Sequence, residues 1–359
     1  MNRLDELIKR MCPTGVEHKT LDDVCLFKKG DSITKKNVTE GDIPVIAGGQ
    51  KPAYYINKWN RSKDTITVAS SGAYSGYVSF WDEPIFVSDA FSINPRGSLD
   101  IRYLYHFLKS KQNSIYTMQK GGGVPHVYSV DVARLVIPLP PLRIQEEIAQ
   151  ILDNFTLLTA ELTAELTARH SQYEYYRDKL LTFDGDINWV KLEDIAVIKN
   201  GSTYKNFNEG TIPVYGTGGI MTYVDTFAYD KPTVLIPRKG SIDKLYYVDE
   251  PFWNVDTIFY TEINDELIEP KFLYYFLQTE RLENLNIAGG VPSLTQTMLK
   301  LVKIPLPPFA EQARIVSILD KFDALVNDLS SGIPAEIEAR QKQYEYYRDR
   351  LLTFKEKVS

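Results

Sequence analysis

The sequence predicts an α+β protein in which two small mixed α/β domains alternate with two long helices, the whole plan written twice. Three observations carry this reading. "QYEYYRDKLLTF" (Gln172–Phe183) returns as "QYEYYRDRLLTF" (Gln343–Phe354), with one Lys-to-Arg change in twelve positions. "IPLPPLRIQEEIAQILDNF" (Ile137–Phe155) returns as "IPLPPFAEQARIVSILDKF" (Ile304–Phe322), in register at an offset of 167. Upstream the matches thin but keep their order: "GDIPVIAGG" faces "GTIPVYGTGG", "YLYHFLKS" faces "FLYYFLQT", and "GGGVPHVYSVDV" faces "AGGVPSLTQTML". Self-similarity of this extent marks a duplicated architecture.

The repeat divides the chain into a helical stub (1–16), a first variable domain (17–136), a helical segment (137–187), a second variable domain (188–303) and a second helical segment (304–359). With 359 residues there is room for two cores. The stub "MNRLDELIKRM" is amphipathic and lacks the apolar stretch of a signal peptide. Each variable domain strings short β-branched and aromatic runs ("DTITVAS", "PIFVS", "TVLIP", "KLYYV") between Gly, Pro and Asn turns, then adds one helix. The paired prolines at 140–141 and 307–308 sit where a helix starts, because proline suits a first turn and forbids continuation backward. From Leu142 to Phe183 no Gly or Pro occurs, which predicts a rod of roughly 60 Å. Its apolar positions Ile144, Ile148, Ile151, Phe155, Leu158 and Leu162 step 4-3-4-3-4, a coiled-coil seam. "TAELTAEL" (Thr159–Leu166) then inserts a stutter before the seam resumes at Tyr173, Tyr176 and Leu180. Gly332 and Pro334 in "LSSGIPAEIEAR" break the second rod in two. Plain core packing is the alternative for such a stripe, and two matching rods in one chain add weight to their packing on each other.

Composition narrows the function. Hydrophobic residues at 43% and charged ones at 25% describe a soluble globular chain, with no run long enough to span a bilayer. Two cysteines cannot build a disulfide framework or zinc cluster, so a reducing cytoplasm is the expected home. The four histidines lack metal-helix spacing. No phosphate-cradling loop, methyltransferase amine-binding segment or paired-carboxylate motif is present, so catalysis is not expected.

Recognition remains. The net charge of −6 hides an uneven spread: residues 17–136 are slightly basic, while 137–187 and 188–303 are acidic. Within "GGQKPAYYINKWNRSK" (Gly48–Lys63), Gln50, Lys51, Tyr54, Asn57, Lys58, Asn60, Arg61 and Lys63 mix cations for phosphates, amides for base edges and aromatics for stacking. Lys35 and Lys36 precede this stretch, and Ser71 and Tyr74 follow it. A solvated loop with a few aromatics in the core would have the same composition. In the second copy the candidates are Lys205, Thr217, Tyr223, Arg238, Lys239 and Lys244, on the same scaffold with a different surface.

Two variable domains alternating with two near-identical helices, each introduced by "IPLPP" and followed by "EQARIVSILDKFDAL" or "IQEEIAQILDNFTLL", resemble the specificity subunit of type I restriction-modification systems. The "TAELTAEL" quartets look like those of one subgroup of that family. The resemblance implies that residues 17–136 and 188–303 are target recognition domains, each reading half of a bipartite double-stranded DNA site. It implies helices packed as an antiparallel coiled coil with an internal two-fold repeat, and a stub lying near the C-terminal helix. The helices would dock two methyltransferase subunits, through Tyr173, Tyr176 and Arg177 and through Tyr344, Tyr347 and Arg348. S-adenosylmethionine would then be bound by those partners, and ATP and Mg2+ by a restriction and motor subunit, with no cofactor or metal in this chain. A coiled-coil scaffold holding proteins at its globular ends, without DNA, is the alternative.

Overall fold

A computed structural model describes residues 2–33, 38–185, 187–286, 292–328 and 330–357. The chain forms two compact units, one from Met1–Thr163 with Ile337–Ser359, the other from Ala164–Glu336. Helix and sheet are mixed in each.

The first unit begins with α1 (Asn2–Met11), β1 (Glu17–Thr20), α2 (Leu21–Val24) and β2 (Cys25–Lys29). Six short strands follow: β3 (Ile43–Ile46), β4 (Tyr55–Ile56), β5 (Thr65–Ala69), β6 (Val78–Trp81), β7 (Phe86–Val87) and β8 (Ala90–Pro95). Then come α3 (Ile101–Ser110), α4 (Gln112–Tyr116), α5 (Ser129–Val132), β9 (Val136–Leu139) and the long α6 (Leu142–Leu180). The strands pair as β1-β9, β2-β8-β5-β6 and β4-β3-β7. Every residue of β5, "TITVA", is buried, as a β-branched run between two neighbours should be. The Asp100 side chain caps α3 by accepting from the Tyr103 amide at 2.7 Å. Tyr103, Leu104, Phe107 and Leu108 of α3 then join Ile66, Val68 and Ile93 in the core.

The second unit repeats the order. It holds β10 (Asn188–Lys191), α7 (Leu192–Ile195), β11 (Ala196–Asn200), β12 (Glu209–Gly216), β13 (Gly219–Val224), β14 (Thr233–Pro237) and β15 (Tyr246–Val248). It continues with β16 (Trp253–Asn254), β17 (Ile258–Ile263), α8 (Pro270–Thr279), α9 (Gln296–Lys300), β18 (Lys303–Leu306) and α10 (Phe309–Asn327). Its sheets are β10-β18, β11-β17-β14-β15 and β13-β12-β16, matching the first unit strand for strand. Helix α11 (Ile333–Leu351) lies for most of its length in the first unit.

The paired prolines are fixed by a buried glutamine. Gln145 donates through Nε2 to Pro140 O at 2.8 Å and accepts at Oε1 from the Asp100 amide at 2.8 Å, tying the start of α6 to the start of α3. Gln312 repeats this with Pro307 O at 2.9 Å and the Glu269 amide at 2.8 Å. Helix α6 runs unbroken through the quartets, and the second rod is broken at Gly332 as expected. A Cβ there would stand 2.6 Å from Ala324 O and 2.8 Å from Asp328 O, so only glycine fits the close approach.

The expected seam is corrected. Ile144, Gln145, Ile148, Ala149 and Leu152 are buried, whereas Ile151 is half-buried and Leu158 is 37% exposed. This is a broad 3.6-period face laid on the unit's own domain, where α3 needs covering, instead of the narrow 3.5-period stripe of a free-standing coiled coil. Helix-to-helix contact within each unit includes a ring stack. Phe155 of α6 stacks on Tyr347 of α11 at 5.4 Å, and Tyr176 of α6 stacks on Phe322 of α10 at 5.8 Å. In the first unit, α1 buries Leu4 and Leu7 in a core shared with Leu351 and Leu352, and Asp5 pairs with Arg350 at 3.3 Å. Val16 forms a parallel bridge with Glu356.

Candidate nucleic-acid interface

Strand β4 sets the first candidate surface. It pairs antiparallel with β3, Ile43 opposite Ile56 and Pro44 opposite Tyr55, so period-two alternation turns Ile56 inward and Tyr55 out. Around it Gln50, Lys51, Tyr54, Asn57, Lys58 and Lys63 are exposed, and Trp59 is 56% exposed. Trp59 is thus an exposed ring on a loop that also carries exposed cations, outside the core. Tyr74 is exposed on a neighbouring loop; Ser71 is half-buried and donates to Asp89. A Cβ on Gly48 would lie 2.3 Å from Ser71 O, so the loop carrying Gln50 is pressed against the segment carrying Ser71. Lys35 and Lys36 lie outside the described residues.

Two expected readers are corrected. Arg61 is 6% exposed and points inward. Its Nε donates to Ser92 Oγ at 2.7 Å, Nη1 to Asn60 O at 2.8 Å, and Nη2 to Lys29 O at 2.8 Å and Lys28 O at 3.3 Å. Burial pulls its pKa below the ordinary range, while the Asp31 carboxylate pushes back. Asn60 donates to Asp31 Oδ2 at 2.8 Å and Val87 O at 2.9 Å and accepts from the Val87 amide at 2.7 Å. Both side chains are spent on latching the loop to β2, β7 and β8, which leaves neither for a phosphate or base edge.

In the second unit, Lys205, Tyr223, Lys239 and Lys244 are exposed. Lys205 and Thr217 line one groove of about 800 Å3, with Tyr204 and Met221. Lys205 and Tyr223 line another of about 380 Å3, again with Tyr204, a residue the sequence reading missed. Arg238 is half-buried, its guanidinium 5.2 Å from the Phe259 ring centroid, and so packs on the core more than it projects.

The expected docking residues are engaged within the chain, with Tyr173 buried, Tyr176 still 39% exposed and the others half-buried. Tyr173 is 6% exposed and tilts on Phe322 at 6.5 Å; burial pushes its hydroxyl pKa up. Tyr176 and Tyr347 make the stacks already described. Tyr344 Oη lies 3.2 Å from His106 Nδ1, and burial pushes its pKa up to about 12. Arg177 pairs with Asp178 and Arg348 with Asp349, each at 2.8 Å. The most outward tyrosines of the repeated dozen are Tyr175 and Tyr346, both 61% exposed. Periodicity held the signal: positions 173, 176 and 180 share one helix face, so the middle tyrosine lies off it.

Among the described residues, no group of three or more His, Cys, Asp or Glu could hold a metal, and no helix is long and apolar enough to cross a membrane.

Residues 13–169 and 185–339 each match the family described as type I restriction modification DNA specificity domain. The chain belongs to this specificity family. Its relatives include the protein assigned as a type I restriction enzyme specificity subunit in Haemophilus influenzae, 31% identical over 94% of this chain and 96% of that one. The EcoR124I/EcoR124II specificity subunit of Escherichia coli is 36% identical over 71% of each chain. In fold, the chain is similar to the type I restriction-modification S subunit of M. genitalium, with a TM-score of 0.70 at 23% identity over 94% and 96% of the two chains. Membership places the chain among specificity subunits, which recognise DNA sequence and are not catalytic.

Proposed function

We propose that the chain reads a bipartite double-stranded DNA site for a type I restriction-modification complex, with residues 17–136 on one half-site and 188–303 on the other. One observation carries this. The same strand order recurs in both units, yet exposed cations and rings sit on β4 and its loop in one and around Lys205 and Tyr223 in the other. A constant scaffold with a changed surface is what reading two different sequences requires. Gln50, Lys51, Tyr54, Asn57, Lys58, Lys63, Ser71 and Tyr74 are the first set; Lys205, Thr217, Tyr223, Lys239 and Lys244 are the second.

Residues 137–187 and 304–359 act as spacer and dock, arranged as an antiparallel pair with approximate two-fold repeat. The swapped ring pairs support this, because Phe155 with Tyr347 and Tyr176 with Phe322 are the same contact made with the copies exchanged. Two methyltransferase subunits would meet the two exposed faces around Tyr175 and Tyr346. S-adenosylmethionine then belongs to those subunits, ATP and Mg2+ to a restriction subunit, and the assembly to the cytoplasm. The "TAELTAEL" quartets fit one subgroup of the family, and in this chain they would set the length of the spacer.

Methylome sequencing of a host carrying this gene with its methyltransferase gene is the test. A methylated motif with two fixed halves and a fixed gap is expected. Methylation without such a motif, or a reconstituted complex that fails to shift any DNA, would return the chain to the scaffold reading.

A further inference from the structure

The repeat supplies an internal comparison at the contact between each recognition domain and its helix. In the first unit Arg102 of α3 donates to both oxygens of Asp153, with Nε 2.9 Å from Oδ2. Its guanidinium carbon lies 4.1 Å from the Phe80 ring centroid and 5.2 Å from that of Tyr105. A planar cation from the chain itself fills a slot walled by two rings and floored by a carboxylate.

The second unit builds the same slot and fills it less. Tyr247 stands where Phe80 does, since Ile66 pairs with Phe80 in β5-β6 and Val234 with Tyr247 in β14-β15. Tyr274 stands for Tyr105, Asp320 for Asp153 and Lys271 for Arg102. Lys271 Nζ reaches Asp320 at 2.9 Å and lies 5.5 Å from the Tyr247 centroid, but a lysine has no planar fork to span the rings. A cavity of about 520 Å3 remains, lined by Tyr246, Tyr247, Tyr274, Asp320, Asp323 and Asn327 among others. The repeat shows what was added: Asp323 stands at the position of Thr156, Asn327 at that of Ala160, and Tyr246 at that of Ser79. Asp323 accepts from Asn327 Nδ2 at 2.8 Å, which aims the carboxylate without neutralising it. Burial, then nearby carboxylates, pushes Tyr247 up to about 12, and burial with Asp323 does the same for Tyr274. Among the residues lining the cavity, the carboxylates Asp320, Asp323 and Asp328 outnumber Lys271, while Arg177 acts on Tyr274 from beyond the lining.

We infer that this cavity is a receptor for an arginine side chain presented by a partner protein. The guanidinium would lie between Tyr246 and the Tyr247–Tyr274 pair, whose centroids are 6.0 Å apart, and donate to Asp323. Arg102 is the template for the pose. The inference stands or falls apart from DNA reading.

The test titrates the full chain, carrying ring-labelled tyrosine, at low ionic strength by NMR. The probes are Nα-acetyl-arginine methylamide, its uncharged citrulline counterpart, and free L-arginine. Saturable shifts at Tyr246, Tyr247 and Tyr274, assigned through Tyr→Phe variants, are expected for the blocked arginine, with citrulline about tenfold weaker. Lys271→Arg supplies the slot's own guanidinium, as in the first unit, and should weaken the probe by about tenfold while the fold keeps its melting temperature. Asp323→Thr, copying Thr156, should weaken it similarly. No saturable shift at these rings, equal binding of citrulline, or a Lys271→Arg chain that binds like the parent would overturn the proposal. Tighter binding of free L-arginine than of the blocked form would mean a small-molecule site and would overturn the partner-protein assignment. Should a variant unfold, the arginine-to-citrulline ratio on the parent chain still decides.

Discussion

Arg61 and Lys58 are three residues apart and have opposite employments. Removing the Arg61 guanidinium takes the side-chain donor from the Lys29 carbonyl and from the Ser92 oxygen in a buried place, leaving Ser92 only its own bond to Lys28 O. Arg61→Ala should therefore cost about 2–4 kcal/mol, read as a lower denaturation midpoint. Lys58→Ala should leave stability unchanged and lower the log–log salt slope of DNA binding by the assembled complex by about one. An unchanged slope would put this loop off the DNA. Composition placed both residues in a recognition loop, but could not tell an outward cation from an inward one. That direction is set by where the carbonyls of β2 come to lie, which is a tertiary fact. His106 is a second such case. It sits fully buried among Asp153 of α6 (2.7 Å), Tyr344 of α11 and its neighbour Arg102, with Asp100 nearby. Burial holds its pKa below the ordinary value, against the upward pull of Asp153. The unfolded chain therefore binds more protons, so stability is full above about pH 6.5 and falls as pH drops below it, by up to about 1.4 kcal/mol per unit. His106→Tyr copies the second unit, where Tyr275 Oη donates to Asp320 at 2.7 Å. It should flatten that decline in urea melts run between about pH 6.5 and 5, and an unaltered slope would assign the proton uptake elsewhere.

At the scale of elements, the prolines, the long α6, the break at Gly332 and the strand-rich domains were legible, because each depends on local chemistry. The face of α6 that packs was not, since Ile151 and Leu152 are equally apolar and only α3 decides between them. The quartets test α6 as a ruler. Deleting Thr163–Leu166 shortens a continuous helix by roughly 6 Å with a net turn of about 40°, so the Tyr175 face stays near its original side. Methylation should persist and prefer a gap shorter by about one base pair, whereas a two-residue deletion, turning the far half by about 200°, should abolish activity. A ladder of duplexes with the gap varied one pair at a time reads this out. An identical preference before and after the quartet deletion would remove the helix as the ruler.

For the molecule as a whole, purified chain should transfer no methyl group to DNA in the presence of S-adenosylmethionine, and should support transfer once its methyltransferase partners are added. Methylation by the chain alone would overturn its role as a specificity subunit. The make-up of the first unit also has a consequence in time. Its core needs Leu351 and Leu352 as well as Ile144 and Leu152, so the ribosome must make all of 164–336 before the last wall arrives. At about 5–20 residues per second that delay is roughly 10–35 s. During it Leu4, Leu7 and Phe155 wait without the surfaces that later cover them. Nascent chains should therefore engage holding chaperones on residues 4–7 and release them only after residue 352 has emerged, the reverse of the usual N-terminal-first order.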